Sequence, residues 1–236
     1  MSLRSPSIFF ALALTASSAL AFQAPDKAAL QQRVTELKES VAANKAKLAK
    51  YQWTETTTTL LKGEVKKTET SLCQYGPDGK VQKTPVGPPP APPEQKRGLK
   101  GKVVEKKVDE LKDYGTRLKS LIGEYVPPSR DKIQEAFQAG NVSVTPSAGG
   151  VSSIVISNYY KGGDKLIFAF DPAVKKLRSL TVDSYLDDPK TDIVTLAVNF
   201  ASLPDGSNYA ANTDLKAASK NIEIKTVNSN YQKIAQ

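Results

Sequence analysis

Few side chains in this 236-residue sequence could carry covalent or acid–base chemistry. The segment Ser129-Arg130-Asp131-Lys132 has S-x-x-K spacing, in which one helical turn brings a lysine amine beside a serine hydroxyl and can activate it for acyl transfer. The S-D-N and K-T-G segments that complete such a site are absent. Ser129 also follows Pro127-Pro128 and precedes a helical stretch, where a serine side chain satisfies free backbone N–H groups as an N-cap. The cap accounts for it. Asp183, Asp187, Asp188 and Asp192 form a second cluster, of a type that can bind calcium or supply paired carboxylates. Their spacing is not that of a calcium loop, and they surround Pro189 at a polar corner, so they read as solvated turn residues. The single cysteine, Cys73, has no internal disulfide partner. It lies in an alternating pattern that suits a small buried hydrophobe better than a reactive thiol. Histidine is absent, which removes the commonest general base and transition-metal ligand. No catalytic residue, metal site or cofactor is assigned, and the expectation is a non-enzymatic protein.

The elements around these residues are legible from periodicity. Pro25 and Asp26 suit a helix start, and Leu30, Val34, Leu37, Val41, Asn44 and Leu48 then recur at spacings of three and four. That stripe fits packing on the chain's own sheet, or a short coiled coil with Asn44 as its polar seam residue. Residues 51–60 are rich in threonine and aromatic side chains and read as a strand. After Lys62-Gly63, residues 64–75 form its hairpin partner, and Gly76-Pro77-Asp78-Gly79 turns the chain into a third strand over 80–86. The run 88–93 is nearly all proline, an exposed extended spacer within a loop over 87–95. A helical insertion over about 100–140 comes next, with Val104, Val108, Leu111, Leu118, Ile122 and Tyr125 on one face of its first helix. Its second helix spans 129–139.

From residue 151 the sequence reads as six strands, 151–160, 165–171, 176–186, 192–201, 207–216 and 220–227. Their turns are too short for anything but antiparallel neighbours. Alternation gives one face Ile154, Ile156, Leu166, Phe168, Phe170, Leu180, Val182, Val194, Leu196, Val198, Phe200, Ile222 and Ile224. The opposite face is partly apolar too, with Val155, Ile167, Ile193 and Ala197. The fold class expected is α+β, an antiparallel curved sheet, an unclosed barrel, covered by helices.

Compartment follows from the first 21 residues. Arg4, the apolar run Ile8-Phe9-Phe10-Ala11-Leu12-Ala13-Leu14 and the small-residue site Ala19-Leu20-Ala21 have the layout of a cleavable signal peptide. The run falls short of the roughly 20 apolar residues that span a bilayer. The mature chain, residues 22–236, is expected to be a single exported, periplasmic domain without a lipid anchor, because no cysteine follows the cleavage site. The net charge of +9 would suggest nucleic acid in the cytoplasm, a partner that export removes. Between Lys96 and Lys119 the cations alternate with Glu105, Asp109, Glu110 and Asp113 as on a solvated helix face, with attraction to an anionic membrane surface as the functional alternative.

The order of elements, with Tyr51-Gln52-Trp53, Pro77-Asp78-Gly79, Phe168-Ala169-Phe170-Asp171-Pro172 and Lys176-Leu177-Arg178, resembles the LolA-like superfamily of outer-membrane lipoprotein carriers and lipid-binding relatives. The proline-rich run and the basic helix depart from that pattern. The resemblance implies an unclosed barrel whose apolar concavity holds acyl chains. The expected function is thus a carrier or chaperone for a lipid or an acylated protein, acting as a monomer or a dimer. Its ligand face would be Trp53, Ile154, Ile156, Phe168, Phe170, Leu180, Val182, Leu196, Val198 and Phe200. The alternative is an envelope interaction protein that uses its amphipathic helices to bind a partner.

Overall fold

The structure, a computed structural model, describes residues 27–87, 99–146 and 150–234. The expected signal segment 1–21 and the proline run 88–93 lie outside them. Strands β1 (Tyr51–Leu61) and β2 (Glu64–Tyr75) form a hairpin closed by two residues. Lys62 and Gly63 both take positive φ, 55° and 80°, which gives the turn a twist matching that of the strands. At the next corner the Asp78 carboxylate accepts the Lys80 N–H at 3.0 Å, and β3 (Val81–Pro85) folds back on β2.

Seven more strands follow the helices: β4 (Val142–Pro146), β5 (Ser152–Ser157), β6 (Lys165–Asp171), β7 (Lys176–Tyr185), β8 (Ile193–Ser202), β9 (Asn208–Ala217) and β10 (Ile222–Lys233). Together with the hairpin they make one antiparallel sheet in the order β3-β2-β1-β10-β9-β8-β7-β6-β5-β4. The sheet is curved and open, with β3 and β4 as its two edges. Pairing of β10 with β1, from Tyr51 opposite Lys233 to Leu61 opposite Ile222, welds the hairpin to the meander.

This order dictates where the helices lie. The chain leaves β3 at one edge and must reach β4 at the other, about 43 Å away across ten strands at ~4.8 Å spacing. Helix α2 (Leu99–Gly123), 25 residues long, supplies about 37 Å of that path. Helix α3 (Arg130–Gln138) finishes it. The crossing helices therefore lie over one face of the sheet, and the core forms between them. Tyr114, Leu118 and Leu121 of α2, Tyr125 just beyond its end, and Ile133, Ala136 and Phe137 of α3, join Ile154, Leu166, Phe170, Val182 and Val194 in one buried cluster. Helix α1 (Lys27–Leu48) adds Val34 to it. Asn44 of α1 grips the backbone of Asn208, donating to its carbonyl and accepting its N–H at 2.6 Å. Val34, Asn44 and Leu48 of the α1 stripe thus face the chain's own sheet, the first of its two expected arrangements, while Val41 is 47% exposed.

The last strand, read over 220–227, runs from Ile222 to Lys233, and three further details differ from the sequence expectation. Strand β4 was not foreseen; it is a short edge strand ending at Pro146, which can sit at an edge because it lacks a ladder donor. On α2 the buried stripe runs through Tyr114 and Leu121, while Val108 is 43% exposed. The strand read over 151–160 stops at Ser157, because Asn158 takes a left-handed φ of 53° and opens a loop.

Candidate functional site

Between α2 and the strands where hairpin and meander meet lies a half-open groove of about 530 Å³, within the roughly 300–1,000 Å³ of small-molecule sites. One wall is the side of α2 that carries Leu111, Gly115, Leu118, Lys119 and Ile122. The spacings of four, three and four put Leu111, Gly115, Leu118 and Ile122 in one line along the helix. The other wall is the end of β1 with Thr59, Leu60 and Leu61, joined by Leu215 of β9 and Ile222 and Ile224 of β10. Register explains why these residues meet: Thr59 lies opposite Ile224, Leu61 opposite Ile222, and Ile224 opposite Leu215. Between Thr59 and Leu60 the β1–β2 pairing slips by one residue, and this bulge sends Lys66 into the lining.

The groove is apolar, with two cations and no carboxylate in its lining. Apart from Leu118, its aliphatic side chains are only half-buried, so they retain apolar surface that a ligand could cover. Gly115 widens it: a Cβ added there would meet no heavy atom within 4 Å. Sequence reasoning had Leu111, Leu118 and Ile122 on one helical face, and Ile222 and Ile224 on one strand face. It missed Gly115, Lys119, Lys66 and Leu215, although a glycine in the middle of an apolar helical stripe is a readable sign of withheld volume.

The ten residues proposed from sequence as a ligand face fall into two places. Ile154, Ile156, Phe168, Phe170, Leu180, Val182, Leu196 and Val198 are buried in the core cluster, and Phe200 packs against it. These nine come together as expected, under the side chains of α2 and α3. Trp53 does not join them. It stacks on Tyr231 with ring centroids 5.5 Å apart, touches Tyr75 at 5.5 Å, and donates to Asn228 at 3.1 Å. On β1 it stands six residues from Thr59, about 20 Å at strand rise.

No protein family and no curated protein matches the chain. Among solved structures, it is similar to a DUF1329 family protein from Desulfovibrio piger, over 86% of this chain and 92% of that one, with 8% identity and a TM-score of 0.40.

The residues weighed for chemistry have structural partners. Ser129 takes extended φ and ψ of −72° and 129° and accepts the Lys132 N–H at 3.4 Å, as a helix N-cap does. Of the four aspartates, Asp187 pairs with Arg117, and Asp188 accepts the N–H groups of Lys190 and Thr191 at 2.7 and 3.1 Å. Asp183 stands in β7 opposite Lys165. Asp192 is buried and accepts hydroxyls from Tyr114 at 2.8 Å and Ser219 at 2.5 Å. Burial works against its ionised form, but these donors outweigh it and hold its pKa below the usual carboxylate range. Among the described residues, no three His, Cys, Asp or Glu side chains come close enough to hold a metal ion. Cys73 is fully buried, and burial pushes its thiol pKa up.

A further polar knot was invisible in sequence. Asp164 is 1% exposed and accepts the backbone N–H groups of Tyr159, Tyr160 and Lys161 at 2.6–3.0 Å. It also accepts the Tyr125 hydroxyl at 2.5 Å, which Ser184 contacts at 2.8 Å. Burial, reinforced by Asp164, drives the Tyr125 pKa far upward, so the phenol stays a donor. With every partner supplied by the protein, the knot fastens the end of α2 to the β5–β6 loop.

Proposed function

We propose that this chain is a non-enzymatic exported carrier that binds an apolar ligand, a lipid or the acyl chain of a lipoprotein, against its antiparallel sheet. The observation that carries the reading is the groove between α2 and strands β1, β9 and β10, whose eight aliphatic side chains and glycine offer an acyl chain an apolar bed. Each CH₂ transferred from water contributes about 0.8 kcal/mol, so a long chain binds there without polar contacts. The LolA-like resemblance, the export signal and the lack of a completed catalytic motif favour the same role. In this reading the ligand bed lies beside the core face read from sequence, in the half of the sheet where burial is incomplete.

Displacement of a fluorescent fatty acid from the delipidated protein, checked by native mass spectrometry, tests this. Saturable 1:1 binding is expected, and Ile222→Glu should weaken it at least tenfold while circular dichroism stays unchanged. Lack of saturable binding by any single-chain amphiphile would overturn the reading. Trp53 is too distant to report on it.

A further inference from the structure

The two lysines of the groove differ in how they are engaged. Lys66 is paired with Glu64 at 2.5 Å. Lys119 has no ion-pair partner among the described residues; it lines the groove and is exposed. A lysine in that position lays its methylene stem along apolar surface and keeps its ammonium in water. It follows Leu118 and lies one helical turn beyond Gly115, so the cation stands beside the space that Gly115 leaves open. The lining contains no carboxylate to neutralise it.

Resting on the carrier reading, we propose that the groove selects single-chain amphiphiles with an anionic head, a fatty-acid carboxylate, whose charge Lys119 meets while the chain runs past Gly115 between α2 and β10. Charge complementarity argues for this occupant over a neutral lipid. A neutral head would leave the ammonium with water alone, whereas a carboxylate gains a charge-assisted hydrogen bond at the edge of a low-dielectric bed. Lys66, already engaged by Glu64, is the secondary cation.

The test compares dodecanoate with dodecan-1-ol, which share a chain and differ in the head, by isothermal titration of the delipidated protein at pH 7. Dodecanoate is expected to bind about 1.5- to fivefold more tightly, the range of a partly exposed ion pair, and raised salt should shrink that margin. Lys119→Glu should abolish or invert the preference, and Lys119→Arg should keep it. Gly115→Trp, which has room for its Cβ, should block both ligands without unfolding the chain. Equal affinities, or a preference that survives Lys119→Glu, would overturn the assignment while leaving the carrier reading in place. Binding that survives Gly115→Trp would put the ligand elsewhere and overturn the site. Failure of both ligands to bind would overturn the carrier reading as well.

Discussion

The two halves of the sheet share a face but not a chemistry. Straight across the ladders, Ile154, Phe168, Leu180 and Val198 of β5 to β8 follow one another as an apolar row. The same row continues into β9, β10, β1 and β2 as Thr213, Thr226, Thr57 and Glu69. In the meander half the side chains are buried under α2 and α3; in the hairpin half threonine hydroxyls pair with each other, as Thr57 and Thr226 do at 3.1 Å. Both residue sets make good strands, because strand formation asks for β-branched or aromatic shape rather than for polarity. Polarity decides where the helices can close on the sheet. The neighbouring row, Val182, Leu196, Leu215 and Ile224, stays apolar two strands further before reaching Thr59. That overhang, beyond the full cover of α2, is the groove.

The contrast breaks most visibly in stability. Phe168 is 3% exposed, and Phe168→Ala should cost about 3–5 kcal/mol through lost transfer energy and a cavity. Its row-mate Thr226 is half-buried, and Thr226→Ala should cost less than about 1 kcal/mol. Urea denaturation measures both, and equal losses would show that the hairpin half is packed as tightly as the meander. A second pair asks the same of hydroxyls. Tyr125→Phe removes one donor from buried Asp164 and the hydroxyl partner of Ser184, and is expected to cost about 1–3 kcal/mol. Thr57→Val removes a hydroxyl that water can replace, and should stay below about 1 kcal/mol.

At the seam the sign should reverse. Gly115 sits inside α2 with no atom near the position of its missing Cβ. Gly115→Ala should therefore stabilise the protein by about 0.5–1 kcal/mol, the difference in helix propensity. A loss on thermal or urea unfolding would mean that the groove wall is already closed against the sheet.

Much of this division was legible in the sequence, and the limit is instructive. Alternation assigned Ile154, Phe168, Leu180 and Val198 to one buried face because their period is local. The cap at Ser129 was legible because Pro127-Pro128 and the following helix fix its setting within a few residues. The groove was not, since Leu60 and Ile222 are more than 150 positions apart and meet only through the β1–β10 ladder. Tyr114 and Leu121 were missed on α2 because Val108 and Ile122 offer a competing apolar stripe, and only the sheet beneath decides which stripe turns inward. Trp53 was grouped with the meander because its residue type suits a core; in fact it anchors a separate aromatic cluster. Asp164 carried no sequence signal, because its partners are backbone N–H groups, which every residue has.

The smallest effect expected concerns a tie across the hairpin end. Asp205, in the turn before β9, accepts the Tyr51 hydroxyl at 2.5 Å and the Ser207 N–H at 2.9 Å. Tyr51 belongs to β1, so the bond spans the intervening β10 and braces the cluster of Tyr51, Tyr209 and Tyr231. The Tyr51 hydroxyl, then the Ser207 N–H, lower the Asp205 pKa to about 2, against about 3.9 in an unfolded chain. A depressed carboxylate pKa stabilises the fold above the unfolded value, and the contribution is lost as pH falls toward the folded value. Thermal melts of the protein and of Asp205→Asn should thus differ by a constant amount from pH 7 to 5. The gap should narrow from about pH 4 and level off only below about pH 2, and it should be small because Asp205 is exposed to water and salt. The amide oxygen of the variant can still accept from Tyr51, so only the charge-dependent part is read. A gap that stays constant from pH 5 to 2 would show that Asp205 is no more acidic folded than unfolded, and that the hairpin end is held by its rings alone.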